Sequence, residues 1–391
     1  MTPVTRRLVL HFAGFEPVDA EGHRKRYERA SRQSGEAFGI SIKTGPFTAS
    51  DQFPDFNVEG QGPNWSVTTR FVVFDHSDFV ASLRAISYPA QVFRGYQAMT
   101  RIIMEGGLVG YMAQAWRFGL FVLFPYLLTL SLCLLTAVLA MIPLLAGLPN
   151  WHLIWTVPLA LLCFRFVFYP FSERYLTLHI YADWRMAVHV ARLDDHNLRL
   201  WLDAACNRVK SLINEPFDEI VVTGHSMGAS MAAEVIGRAL EENPKIFSGK
   251  QVVFMMLGGT ILQCALLKSG GHLRRMVALI AQCPDVTWVD VQCLTDIIHF
   301  YKTKTVAACG YPDLPQARLL FVRFKTMLMA DHYKKIKSDF LRVHRQYVLG
   351  SDTRSKFDFA LMTAGPIPAA DFAGFANADD VPIAADGSLI R

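Results

Sequence analysis

The chain has 391 residues, of which 52% are hydrophobic and 19% charged, with a formal net charge of +5. The charged share falls below the roughly 25% usual for soluble domains, which points to a membrane. Lysines and arginines are spread out rather than gathered into a block or stripe, which argues against nucleic acid as a partner and leaves an anionic lipid surface open.

Residues 7–12 read as a strand, followed by Ala-Gly-Phe-Glu-Pro, and no small-residue cleavage signal follows that would mark a signal peptide. Next come a charged helix over 22–35 and strands over 38–47 and 66–74 joined by Gly- and Pro-rich connections. Residues 78–116 read as a mostly helical approach to a membrane, interrupted at Pro89, Gly106, Gly107 and Gly110.

Between Arg117 and Arg165 there is no Asp, Glu, Lys or Arg. A membrane-spanning helix takes about 20 apolar residues, and the run divides into spans of about 118–142 and 152–171 around a turn carrying Pro143, Gly147, Pro149 and Asn150. Arg84, Arg94, Arg101 and Arg117 precede this hairpin, Arg165, Arg174 and Arg185 follow it, and the turn is uncharged. Both ends, and with them the termini, are therefore expected in the cytoplasm. Trp116, Tyr126, Trp151, Trp155, Tyr169 and Tyr175 fall where interfacial aromatic belts would lie. The competing reading is an apolar helix pair buried in a soluble fold.

Beyond the hairpin the sequence predicts a helix over 182–213, a strand over 219–223, a helix over 230–242 and a strand over 252–257. A helix over 273–281, strands over 287–291 and 319–324, and a helix over 333–348 follow. Alternating strand and helix implies an α/β class with a mostly parallel sheet flanked by helices. The expected organisation is an N-terminal part of the α/β domain over 1–115, the hairpin over 116–171, the main α/β core over 172–364, and a flexible tail over 365–391. Seven scattered cysteines form no Cys-x-x-Cys pair, which argues against a disulfide framework and fits a reducing compartment. No cluster has ligand spacing, so no metal or organic cofactor is implied. Asn64-Trp-Ser66 matches a glycosylation acceptor that a cytoplasmic placement would leave idle.

The chemistry-bearing segment is Gly224-His225-Ser226-Met227-Gly228. A serine hydroxyl is a weak nucleophile unless it stands clear of the sheet beside a base, and a strained strand-to-helix turn presents it so. Gly224 and Gly228 leave room where strand and helix pass closely, and Ala229, Ala232 and Ala233 keep the helix thin. The alternative is a glycine-bounded turn whose serine caps the helix.

With a β-branched strand before it and an Ala-rich helix after it, this segment resembles the nucleophile elbow of the α/β-hydrolase superfamily, especially lipase- and esterase-like serine hydrolases. The likeness covers residues 7–15 and 217 to about 350, and not the hairpin. It implies the chain order nucleophile, acid, histidine, with Ser226 first. Asp296, in the loop after strand 287–291, resembles the acid; Asp290, within that strand, is its rival. His332, after the last core strand, is the expected base, with His344 inside the predicted helix 333–348 and His299 as further candidates. The backbone N–H of Met227 would supply one oxyanion donor. The other would come from Phe12, Ala13, Gly14 or Phe15, where Phe12 and Ala13 separate His11 from Gly14, unlike a His-Gly oxyanion loop. His225 is expected to be a neighbour rather than the base, and 257–260 a turn at the rim.

The function expected is a membrane-anchored serine hydrolase acting on carboxylic ester or thioester bonds, with membrane lipid and a small-molecule or lipid acyl substrate as partners. An acyltransferase on the same fold, or an inactive hydrolase-fold membrane scaffold, is the alternative.

Overall fold

The computed structural model describes residues 2–48 and 52–390. One sheet contains β1 (Arg6–Phe12), β2 (Ser41–Phe47), β3 (Asp55–Gly62), β4 (Trp65–Phe74), β5 (Glu219–His225), β6 (Val252–Leu257), β7 (Val286–Cys293) and β8 (Arg318–Val322). Their order is β2-β3-β4-β1-β5-β6-β7-β8, antiparallel at β2-β3 and β3-β4 and parallel from β4 through β1 to β8. This is the α/β class expected from the alternation of elements. Strand β3 lies where the sequence reading placed a connection. Phe56, Val58 and Gly60 are buried while Asn57, Glu59 and Gln61 are exposed, the period-two pattern of a strand with one covered face.

Helices α1 (Ala20–Phe38), α2 (Ser77–Arg84), α3 (Tyr88–Met104), α4 (Gly107–Leu145), α5 (Leu153–Cys163), α6 (Tyr169–Glu173), α7 (Thr177–Arg192), α8 (His196–Leu212), α9 (Gly228–Glu242), α10 (Ile261–Ala265) and α11 (Gly271–Gln282) follow. Alternate residues of β1 feed two cores. Leu8, Leu10 and Phe12 pack with α7, α8 and α9, whereas Val9 packs with Tyr27 of α1 and with Tyr347, Phe359 and Phe372. The helix expected over 182–213 divides at Leu193, whose φ is 51°. Asp195 restarts it by accepting the N–H of Leu198 at 2.9 Å.

Two helices are long and apolar enough to cross a membrane, Gly107–Leu145 and Asn150–Glu173, with mean hydropathies of 2.4 and 1.7. Only 11% of the most apolar stretch of each is buried, so they are not a buried core pair. Helix α4 starts inside the domain, breaks at Ala115 with φ −154° and ψ 81°, and then runs outward. Its lower part is tied down: Phe118, Val122 and Thr129 are buried, and Thr303 Oγ1 donates to the Gln114 carbonyl at 2.9 Å. From Leu134 onward the side chains of α4 are largely exposed.

Two expectations are corrected. Stretch 365–390 is packed rather than loose: Ile367, Phe372, Val381 and Ile383 are buried, and Trp65 Nε1 donates to the Gly387 carbonyl at 2.9 Å. At its root the buried pair Arg7–Glu219, 2.7 Å apart, also binds the carbonyls of Gly365 and Ile367 and the N–H of Ala369. The helix expected over 333–348 is two helices, Ala330–Ile336 and Phe340–Arg345, the second capped by Asp339, which accepts the N–H of Arg342 at 3.0 Å.

Candidate active site

Strand β5 ends at His225 and α9 begins at Gly228. Ser226 between them takes φ 54°, the left-handed region that disfavours any residue with a side chain. Close approaches enforce the turn. A Cβ on Gly224 would lie 2.5 Å from Ala229 Cα, and one on Gly228 2.2 Å from the Phe12 carbonyl. The Ser226 carbonyl accepts the N–H groups of Ala229 and Thr260 at 3.0 and 3.1 Å, and its N–H donates to Leu257 at 3.2 Å. The turn over 257–260 thus braces the elbow from β6.

Ser226 is half-buried and opens onto a narrow pocket of about 40 Å³ shared with Gly14, Phe15, His225 and His344. Of the four residues expected to offer a second oxyanion donor, Gly14 and Phe15 line this pocket, whereas Phe12 and Ala13 turn their carbonyls toward Gly228. A Cβ on Gly14 would lie 3.2 Å from Ser226 Cβ, so the loop touches the serine through its glycine. Among the described residues nothing accepts the N–H of Met227.

His344 Nδ1 lies 2.8 Å from Asp296 Oδ2, both side chains nearly or wholly buried. A carboxylate can only accept, so Nδ1 donates, which in the neutral imidazole leaves the lone pair on Nε2. That Nε2 is buried without a hydrogen-bond partner. Asp296 Oδ1 accepts the N–H of Ile298 at 2.9 Å, and His299 Nδ1 stands 3.3 Å from Oδ2. Burial works to raise the Asp296 carboxyl, but His344 and His299 outweigh it and hold it well below the usual carboxylate range. Asp290 sits on β7, where it accepts from Gln292 at 2.7 Å, and does not meet His344.

His332 is the correction at this site. Its Nδ1 pairs with Asp352 at 2.7 Å, its side chain is 41% exposed, and it does not line the pocket. The sequence reading placed His344 inside a continuous helix; the break before Phe340 instead brings it over the end of the sheet. Asp339, directly before Phe340, is an N-cap signal that marks this break in the sequence.

His225 is a neighbour of the pair, as expected. Its Nε2 donates to the His344 carbonyl at 3.0 Å, and burial, with His344 beside it, lowers its pKa to about 3. The pocket wall is apolar at Phe15, Phe121, Ile180, Ile298 and Leu341, and polar at Glu16, Asp183 and Gln263. Asp183 accepts Gln263 Nε2 at 2.6 Å, and burial raises its carboxyl to about 6. Burial also presses upward on Glu16, yet Arg26 and Arg345 bring it down to about 2. Phe121 belongs to α4, so the apolar hairpin begins at the pocket wall. Tyr111 of the same helix donates to the Gln263 carbonyl.

Comparison with protein-family models, curated proteins and solved structures finds no match.

Proposed function

We propose that this chain is a membrane-anchored serine hydrolase of the α/β-hydrolase type that cleaves carboxylic ester or thioester bonds of apolar acyl substrates. The observation that carries the reading is Ser226 at φ 54° on a pocket that His344 also lines, with His344 Nδ1 bonded to Asp296 and its Nε2 without a partner. Serine, imidazole and carboxylate in that relation are the parts of acyl transfer.

In this reading Ser226 Oγ attacks the acyl carbon while His344 Nε2 takes its proton. The oxyanion is met by the N–H of Met227 and by an N–H of the Gly14–Phe15 loop; a lost donor of this kind costs about 10²–10³-fold in turnover. His344 then protonates the leaving alcohol or thiol, and water activated by the same nitrogen releases the acid. Asp296 fixes the tautomer and stabilises the imidazolium. A pocket of about 40 Å³ accepts little beyond the reacting carboxyl group, so a long acyl chain leaves along Phe121 and the hairpin, away from water. Transfer to a second alcohol would use the same groups. The flanking arginines favour the cytoplasmic face for the domain.

The test is hydrolysis of nitrophenyl esters of graded chain length by membranes carrying the full chain. Turnover should favour longer acyl groups and fall by about 10⁴-fold or more in Ser226→Ala. Equal turnover by Ser226→Ala would sink the reading.

A further inference from the structure

The groove between α3 and α7, on the side of α7 away from Ser226, is the second site that stands out. Arg94, Gln97, Ala98 and Arg101 follow one another at positions i, i+3, i+4 and i+7 of α3, and Arg185, Val188 and His189 at i, i+3 and i+4 of α7. Together they line a pocket of about 210 Å³. The helices can lie this close because Gly95 faces the Tyr181 ring, where a Cβ would come within 2.5 Å of Cγ.

The charge in this pocket is unbalanced. Arg185 is only 8% exposed, and among the described residues its one hydrogen bond is from Nη1 to the Leu83 carbonyl at 2.6 Å. Among the described residues Arg94 and Arg101 have neither an ion pair nor a hydrogen bond, and no carboxylate lines the pocket. Asp194, the acid that reaches His189, is taken up by His189 at 2.7 Å and Arg192 at 2.8 Å. Burial, and then the charge of Arg94, lower the pKa of Arg185. Like charges held together, one of them desolvated, are unfavourable without a counter-ion. Guanidinium forks match phosphate oxygens, and several of them suit a group carrying more than one negative charge.

We propose that this groove binds a phosphate-bearing ligand, with Arg94, Arg101 and Arg185 holding the phosphate oxygens and Gln97 beside them. The phosphate can belong to a lipid headgroup or to a free organic phosphate. A headgroup is favoured by place: α3 begins at Tyr88, edge-to-face with Tyr169 and tilted against Phe164 beside the hairpin, and Phe93, next to Arg94, is 64% exposed. The site is independent of the hydrolase reading.

The experiment uses the full chain in phosphatidylcholine nanodiscs, with and without phosphatidic acid, and measures its melting temperature with and without inorganic phosphate. The same series is run on Arg94→Gln/Arg101→Gln; both side chains are exposed and unpaired, so their loss leaves the fold intact. A rise in melting temperature with phosphatidic acid alone supports the groove and assigns it to a headgroup; a rise with inorganic phosphate supports it and assigns it to a soluble phosphate. In either case the double variant should bind at least about tenfold more weakly. No stabilisation by either ligand, or equal stabilisation of the double variant, overturns the proposal.

Discussion

Two histidines twelve positions apart each hold a carboxylate at hydrogen-bond distance, and they differ in almost everything else. His344 meets Asp296 with side-chain exposures of 6% and 0%, and His332 meets Asp352 with 41% and 17%. In the first pair His344 lines the pocket of Ser226 and its Nε2 has no partner; the second braces the turn before the Ala330–Ile336 helix, where Asp352 also accepts the N–H of Met329. An imidazole–carboxylate pair is therefore not by itself a sign of chemistry. What separates the two pairs is burial and place: His344 lines the pocket of Ser226 and His332 does not.

The largest effect that would sharpen this contrast is expected from Asp296→Asn. An amide there can favour the wrong tautomer of His344, and ester turnover should drop about 10⁴-fold. A decline of only a few fold would reduce Asp296 to the rank of Asp352.

Arg7–Glu219 extends the comparison to a buried pair that serves the fold alone. Arg7→Leu leaves Glu219 buried without its partner and frees the chain after Gly365, so denaturant unfolding should show a loss of about 3–5 kcal/mol. Stability unchanged in Arg7→Leu would mean that the C-terminal stretch is held by its apolar contacts only.

Asp290 shows what burial does to a carboxyl when it outweighs a hydrogen bond from Gln292 and the charge of His299. Burial raises it to about 7, against an ordinary value of 3.8. Its folded form binds the proton more tightly than the unfolded chain does, so its contribution is present below pH 4 and lost as the pH rises through about 7. Asp290→Asn should flatten that decline, by up to about 4 kcal/mol at neutral pH. Parallel stability curves for the two proteins from pH 4 to 8 would contradict this.

The smallest effect is expected from His332→Ala, whose half-exposed pair should contribute less than about 1 kcal/mol and whose turnover should stay within about twofold of the parent.

The contrast between the histidines also explains what the sequence could and could not reveal. The elbow was legible because its determinants are local: Gly224 and Gly228 admit Ala229 and the Phe12 carbonyl, and the flanking strand and helix are readable from β-branched and alanine-rich runs. Asp296 follows β7 directly and needed only the loop to be recognised. His344 depends on where one helix stops and another starts, and Ser338-Asp339 marks that break within an otherwise helical run. The C-terminal stretch was misjudged for another reason. Ile367, Phe372, Val381 and Ile383 have no regular spacing, and their partners, such as Arg7 and Glu219, lie far away in the chain. The hairpin, set by composition alone, is legible in position, although α4 begins eleven residues before the expected span, at Gly107, and anchors itself beside the pocket.

The most direct measurement is the rate of fluorophosphonate labelling of the full chain in membranes, for the parent, His344→Ala and His332→Ala side by side, with Ser226→Ala as the blank. Parental labelling is expected in His332→Ala and near-blank labelling in His344→Ala. Labelling that survives in His344→Ala and disappears in His332→Ala would contradict it.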